Sequence, residues 1–189
     1  MKVVGISGSS RKNGNTAIII KTIFEELSKV GIETELFHLA DIDIQPCRAC
    51  FACKGKRNCV FKNDGFSEVF NSMVDADGII LGSPVYSADV SSKMKALLDR
   101  GGVVVATNPG LLKHKVGASV AAVRRAGGMT AVDTMNHFML NKEMIVVGST
   151  YWNMVYGREI GDVMNDEEGM ANMRNLGQNM AWLLNTILR

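Results

Sequence analysis

The four cysteines of the chain, Cys47, Cys50, Cys53 and Cys59, all fall within residues 47–59 in a C-x2-C-x2-C-x5-C pattern. Thiols this dense serve either as metal ligands or as disulfide partners, and neighbours so close together are poor disulfide partners. Structural zinc sites usually present two separated C-x2-C pairs, whereas three cysteines at successive intervals of three resemble the ligand run of a cubane iron-sulfur cluster. Such a cluster with four thiolates carries net negative charge, which Arg48, Lys54, Lys56 and Arg57 could offset. The fourth interval is five residues and no proline follows Cys59, so zinc, disulfide and metal-free forms stay open as alternatives.

A second group is Ser7-Gly8-Ser9-Ser10-Arg11-Lys12-Asn13-Gly14-Asn15-Thr16, which leaves an apolar run and enters a helical one. Hydroxyls, backbone N–H groups and a guanidinium at the positive end of a helix make an anion site. The loop has neither the lysine of the NTPase phosphate loop nor a G-x-G-x-x-G dinucleotide pattern, and its hydroxyls suit a terminal phosphate monoester better than a pyrophosphate. Two further segments follow apolar runs. Ser83-Pro84-Val85-Tyr86 offers backbone groups and an aromatic ring to a flat heterocycle, and Arg124-Arg125-Ala126-Gly127-Gly128 combines paired glycines with arginine that could stabilise an anionic ring.

The elements that must position these groups are legible in the periodicity. Lys2 to Ser7, Glu33 to Leu39, Gly78 to Gly82, Lys115 to Val123 and Met144 to Val147 read as strands. Helices are expected from Ala17 to about Gly31, around Phe66–Met73, over Ser91–Arg100, from Gly127-Gly128 through Met139, and after a cap at Asn165 along the stripe Met173, Leu176, Met180, Leu183, Leu184 and Ile187. Val103 to Ala106 fits either a helix end or a strand, and Gly148 to Met164 reads as a polar loop. Five strands alternating with helices imply a doubly wound parallel sheet, whose ligands gather beyond the carboxyl ends of the strands. The cysteines lie in a long irregular insertion after the second strand, and loops of that length are usually functional.

The chain has 189 residues, is 47% hydrophobic and carries a formal charge of +2, which fits a single domain (1–189) with a full core and a cysteine segment at 46–62. No run of like charges suggests nucleic-acid binding, and no stretch is apolar enough for a membrane span or a signal peptide. The expectation is therefore a cytoplasmic protein with reduced thiols.

Gly-Ser-Ser-Arg followed by Gly-Asn-Thr, the compact cysteine run, Gly-Ser-Pro-Val-Tyr, Met94-Lys95-Ala96-Leu97-Leu98-Asp99-Arg100 and Arg-Ala-Gly-Gly together resemble the NADPH-dependent FMN reductase branch of the flavodoxin-like superfamily. The cysteine run resembles, within that branch, the iron-sulfur flavoproteins. The resemblance implies a flavodoxin-like sheet of order 2-1-3-4-5, with the FMN phosphate on Ser9, Arg11, Asn15 and Thr16, and Asn13 of the same loop also among the cofactor-binding residues. It implies an isoalloxazine site at Ser83, Pro84, Val85, Tyr86 and Ser87 and at Arg125, Ala126, Gly127 and Gly128, and a [4Fe-4S] cluster on Cys47, Cys50, Cys53 and Cys59. Where the family often has two acidic residues after the last cysteine, this chain has Asn63-Asp64. The implied activity is electron transfer from a ferredoxin-like donor through the cluster to FMN and on to dioxygen, peroxide or a quinone-like acceptor. The implied assembly is a homodimer or homotetramer in which a cluster lies near a neighbour's flavin. The alternative is an NAD(P)H-dependent FMN or quinone reductase whose cysteine loop is structural or binds zinc.

Overall fold

The computed structural model describes residues 1–188. Strands β1 (Lys2–Ser7), β2 (Glu33–His38), β3 (Gly78–Pro84), β4 (Val116–Val123), β5 (Ile145–Val146) and β6 (Met154–Tyr156) form one sheet of order β2-β1-β3-β4-β5, with β6 also paired to β4. Every pairing is parallel. β1, β3 and β4 are the central strands and bury almost every residue, which is why they read as continuous apolar runs. Helices α1 (Asn15–Ser28) and α5 (Glu167–Ile187) cover one face, where Ile19, Ile20 and Ile23 of α1 meet Met173, Leu176 and Met180 of α5. Helices α2 (Phe66–Asp75), α3 (Ser92–Thr107) and α4 (Gly128–Leu140) cover the other, on a core that contains Phe66, Phe70, Leu97 and Met135.

The expected strand order is the observed one, and it puts the reversal between β1 and β3, at whose carboxyl ends the first and third loops emerge. The structure departs from the expected elements at three main places and decides a fourth, residues 103–106, which fitted either a helix end or a strand. The polar loop after β5 contains β6, which extends the sheet edge along the upper half of β4 through Ala121↔Met154 and Val123↔Tyr156. Residues 103–106 are helical, because α3 runs on to Thr107. α1 starts two residues before the predicted Ala17, at Asn15. The cap of α5 is Asp166 rather than Asn165, its carboxylate accepting the Gly169 N–H at 2.9 Å. No helix among the described residues is long and apolar enough to cross a membrane.

Candidate functional site: an arginine-lined cleft and a four-cysteine pocket

Three loops meet over the carboxyl ends of β1, β3 and β4 and enclose a cleft of about 290 Å³. Its walls include Ser9, Arg11, Asn15 and Thr16 from the first loop, Pro84, Val85 and Tyr86 from the second, and Ala122, Arg124, Gly157 and Arg158 from the ends of β4 and β6. No carboxylate is among the lining residues; Arg158 pairs with Glu159 just outside the wall at 3.2 Å, and the three guanidiniums against that one carboxylate leave the cleft a positive field.

The local chemistry suits a phosphate. α1 opens at Gly14 with no side-chain cap, and Ser9 Oγ accepts the Arg11 N–H at 3.0 Å to turn the loop back over the helix. A Cβ at Gly14 would stand 2.9 Å from Arg11 Cβ and 3.3 Å from Ser9 Oγ, so the close approach of the two arms requires glycine. Thr16 Oγ1 is buried in this cleft with no hydrogen-bond partner. Such an orphan costs free energy unless a ligand satisfies it, and a phosphate oxygen would.

Asn15 lines the cleft, and its side-chain amide is engaged within the protein. Its Nδ2 donates to the Glu159 carbonyl at 2.8 Å and its Oδ1 accepts the Gly161 N–H at 2.8 Å, so the amide is spent on tying the 157–161 loop to α1. Arg11 reinforces the tie by donating to the Arg158 carbonyl at 3.4 Å. Ser83 is also occupied inward: fully buried, its hydroxyl donates to the Pro84 carbonyl and accepts the Ser91 N–H at 2.9 Å. Asn13 and Ser87 are exposed and line no part of the cleft, and neither does Arg125, whose neighbour Arg124 does.

The second loop has an unusual backbone. Tyr86 and Asp89 exchange N–H···O=C bonds at 2.9 and 3.1 Å around Ser87 and Ala88, both at positive φ (49° and 65°) without being glycine. Strain of this kind persists where surrounding structure over-determines it. Here Thr134 of α4 donates to Asp89 Oδ1 at 2.8 Å, and Gly127 (φ 83°) packs so closely that a Cβ there would lie 2.9 Å from Val85 Cγ1 and 3.0 Å from Ala88 Cα. The turn leaves the Tyr86 ring 44% exposed at the rim of the cleft. Ala126 is exposed and Gly128 opens α4, so both lie beside the rim rather than on its wall.

All four cysteines line a separate pocket, with Arg48, Phe51, Phe61 and Arg100 among its walls. The four thiols are free, and Cys53 is the buried one. Ala49 N–H donates to Cys47 Sγ at 3.4 Å, and Cys53 Sγ lies 3.4 Å from Thr107 Oγ1. Ala49, Phe51, Gly55 and Arg57 all have positive φ, so the chain repeatedly reverses its curl as it passes the cysteines. Of the four expected counter-charges only Arg48 lines the pocket; Lys54, Lys56 and Arg57 are exposed outside it. Among the described residues no three His, Cys, Asp or Glu side chains converge on a single metal-ion position. The pocket and the cleft share no lining residue.

Residues 1–159 match the model of the NADPH-dependent FMN reductases. The chain belongs to that family. Within the NADPH-dependent FMN reductases it falls among the iron-sulfur flavoproteins: it is 39% identical to one from Methanocaldococcus jannaschii over 99% of both chains, and 38% identical to one from Methanosarcina thermophila over 78% of both. The fold agrees, with TM-scores of 0.64 to an archaeal flavodoxin (15% identity, 98% of this chain and 99% of that one) and 0.81 to RosB (16% identity, 100% and 80%). This member of the FMN reductase family is therefore a flavin-dependent oxidoreductase with a flavodoxin-like fold.

Of the two arginines in the Arg124–Gly128 segment the sequence favoured Arg125, whereas Arg124 lines the cleft; Gly157 and Arg158 of the cleft, and Arg100, Thr107 and Asn108 as supports of the cysteine segment, were not foreseen. Arg158 had one usable signal, its place just beyond the short apolar stretch Met154-Val155. Arg100 and Thr107 had another, their position seven and fourteen residues after Lys93 on a single helix face.

Proposed function

We propose that the chain carries FMN in the cleft and a [4Fe-4S] cluster on Cys47, Cys50, Cys53 and Cys59, and transfers electrons between a ferredoxin-like donor and a small acceptor such as dioxygen, peroxide or a quinone. The observation that carries this reading is that all four thiols line one pocket, in a chain whose other polar cleft holds an orphaned hydroxyl among three arginines. A cubane distributes its thiolates over four irons, so its ligands need not converge on one point, as those of a zinc ion must.

In this reading Ser9, Arg11 and Thr16 bind the FMN phosphate, Asn15 holds the 157–161 loop in place, and the Pro84–Tyr86 segment and Gly127 set the position of the ring. Arg124 and Arg158 add positive charge to the same cleft. When bound, FMN supplies two-electron chemistry and the cluster one-electron chemistry, and the protein supplies placement and electrostatics. Exposed thiol ligands such as Cys50 require a reducing compartment, which supports a cytoplasmic location. Because cleft and pocket have no wall in common, assembly into a dimer or tetramer would offer a second route for bringing them together.

A direct NAD(P)H-dependent FMN or quinone reductase is the second reading, favoured by arginines in excess of those a single phosphate needs. Anaerobic purification with quantitation of flavin, iron, sulfide and zinc separates the two. One FMN with four irons and four sulfides per chain is expected from the first reading. Flavin without sulfide, bleached rapidly by NAD(P)H at a rate unchanged in Cys50→Ala, would replace it with the second.

A further inference from the structure

An irregular segment that must present four thiols in a fixed arrangement needs a frame, and α3 provides one. Lys93, Arg100 and Thr107 recur at intervals of seven, two helical turns, and so share one face. All three meet the connection between β2 and α2. Lys93 Nζ donates to the carbonyls of Leu39, Ala40 and Ile42 at its start. At the far end of the helix, Thr107 touches Cys53 Sγ, and Asn108 donates to the Cys53 carbonyl at 3.0 Å while accepting the Arg57 N–H at 3.1 Å.

Arg100 is the centre of this frame. Only 3% of its side chain is exposed, and the guanidinium lies 4.3 Å from the centre of the Phe66 ring. It donates to the Gln45 carbonyl at 3.2 Å and the Phe61 carbonyl at 2.8 Å, forms an ion pair with the equally buried Asp64, and adjoins Cys59. Asp64 in turn accepts the N–H groups of Gln45 at 2.9 Å and Phe66 at 3.3 Å. One buried pair thus ties the residues just before Cys47 to those just after Cys59.

We propose that Arg100 and Asp64 are positioning residues for the cysteine site: together they lock both ends of the 45–64 run onto α3, and Arg100 fixes a positive charge beside Cys59. The lock stands on geometry alone, and the role of the charge rests on the reading of the cysteines as cluster ligands. Burial gives the pair its leverage, because removing one member leaves the other as an uncompensated buried charge. The planar fork of arginine serves two carbonyls and a carboxylate at once, which the ammonium of lysine does not reproduce.

The two halves of the pair predict one shared effect and one opposed effect. Arg100→Met and Asp64→Asn both break the lock, so both loosen the cysteine run. A cation beside a cluster favours its more negative, reduced form. Arg100→Met therefore shifts the cluster potential to more negative values, whereas Asp64→Asn, which leaves the guanidinium unneutralised, shifts it to more positive ones. Arg100→Lys keeps the charge without the fork and holds the potential near the wild-type value with the lock weakened.

The test uses full-length protein purified anaerobically, with FMN content as the check on folding, since neither residue lines the cleft. In cluster-free protein, alkylation of Cys53 and Cys59 by iodoacetamide and amide exchange across residues 45–64 are expected to accelerate on the order of tenfold or more in Arg100→Met and Asp64→Asn. In loaded protein the two variants are expected to move the cluster potential in opposite directions. Wild-type alkylation and exchange rates in both variants would overturn the lock, and potentials unmoved or moved in the same direction would overturn the charge role. Wild-type protein without iron or sulfide would instead reject the cluster reading and with it the charge role, while the cluster-free measurements still decide the lock.

Discussion

Asn15 and Glu159 are joined across 144 positions of chain by a 2.8 Å hydrogen bond from the Asn15 amide to the Glu159 carbonyl. The same amide accepts from Gly161, so a single side chain at the first turn of α1 holds the loop at two points just beyond Arg158. The Asn15 side chain, expected among the phosphate ligands, acts as a strut that keeps another part of the cleft wall in place. Its replacement should therefore act on ligand binding through the loop.

Asn15→Leu should weaken FMN binding by up to about thirtyfold, since two hydrogen bonds of roughly 1 kcal/mol each hold the loop. Asn15→Asp, which keeps the acceptor for Gly161 but loses the donor, should fall between. Flavin titration of the apoprotein reads the effect. A direct ligand and a strut differ in one further respect: amide exchange at residues 157–161 should rise in flavin-free Asn15→Leu. Unchanged exchange there would refute the strut.

Thr16 gives a prediction with opposite signs in the two states. Its hydroxyl is buried without a partner, so Thr16→Val should leave the thermal stability of the apoprotein unchanged or raise it. FMN affinity should fall about tenfold or more, the worth of a hydrogen bond to a charged group. Calorimetry of the apoprotein and flavin titration check the two arms; a variant that loses stability and keeps its affinity would show that the hydroxyl serves the fold.

At Gly127, backbone and space act together. Its φ of 83° disfavours any side chain, and a Cβ would meet Val85 at 2.9 Å and Ala88 at 3.0 Å. Gly127→Ala should lower Tm by about 3–10 °C, from roughly 1–3 kcal/mol of strain in a chain of this length. Because the displaced residues belong to the Val85–Ala88 turn, quenching of bound flavin by Tyr86 should change as well. A Tm within a degree of wild type would show that the turn yields without cost.

How far the sequence could carry these conclusions depended on whether the determining contacts were local. β1, β3 and β4 were legible because burial on both faces writes itself as an apolar run, and Gly127 because a paired glycine after a strand has few other uses. β6 was not, because only Val155 of its three residues is buried and its partner strand lies some thirty positions away; missing it concealed Arg158. Ser83 occupied the right place on the chain, but its alternation in β3 turned the hydroxyl inward to Ser91. Arg100 read only as the last residue of an expected helix, since nothing in its neighbourhood announces that Asp64 arrives from another segment to neutralise it. The cysteine pattern marked the segment as a site, while the frame that holds it came only from the fold.

Away from both sites, Glu26 couples the packing of α1 on α5 to pH. Its carboxylate is 6% exposed, accepts from Lys29 Nζ at 2.6 Å and from Gln178 Nε2 of α5 at 3.2 Å, and stands where Gly177 lets the two helices approach. The Lys29 hydrogen bond, opposed by burial and assisted by Gln178, holds the carboxyl below its ordinary value of 4.5. A group whose folded value is depressed adds stability that is complete above the unfolded value and lost as pH falls through the folded one. The wild-type Tm should therefore begin to fall below about pH 4.5. Glu26→Gln keeps the shape and removes the charge, so its Tm should be lower at pH 7 and its decline between about pH 5 and pH 3 shallower, the two curves converging at the acid end. Thermal melts of both proteins across that range check the sign. Parallel curves would mean that Glu26 is no more strongly held in the folded chain than in the unfolded one.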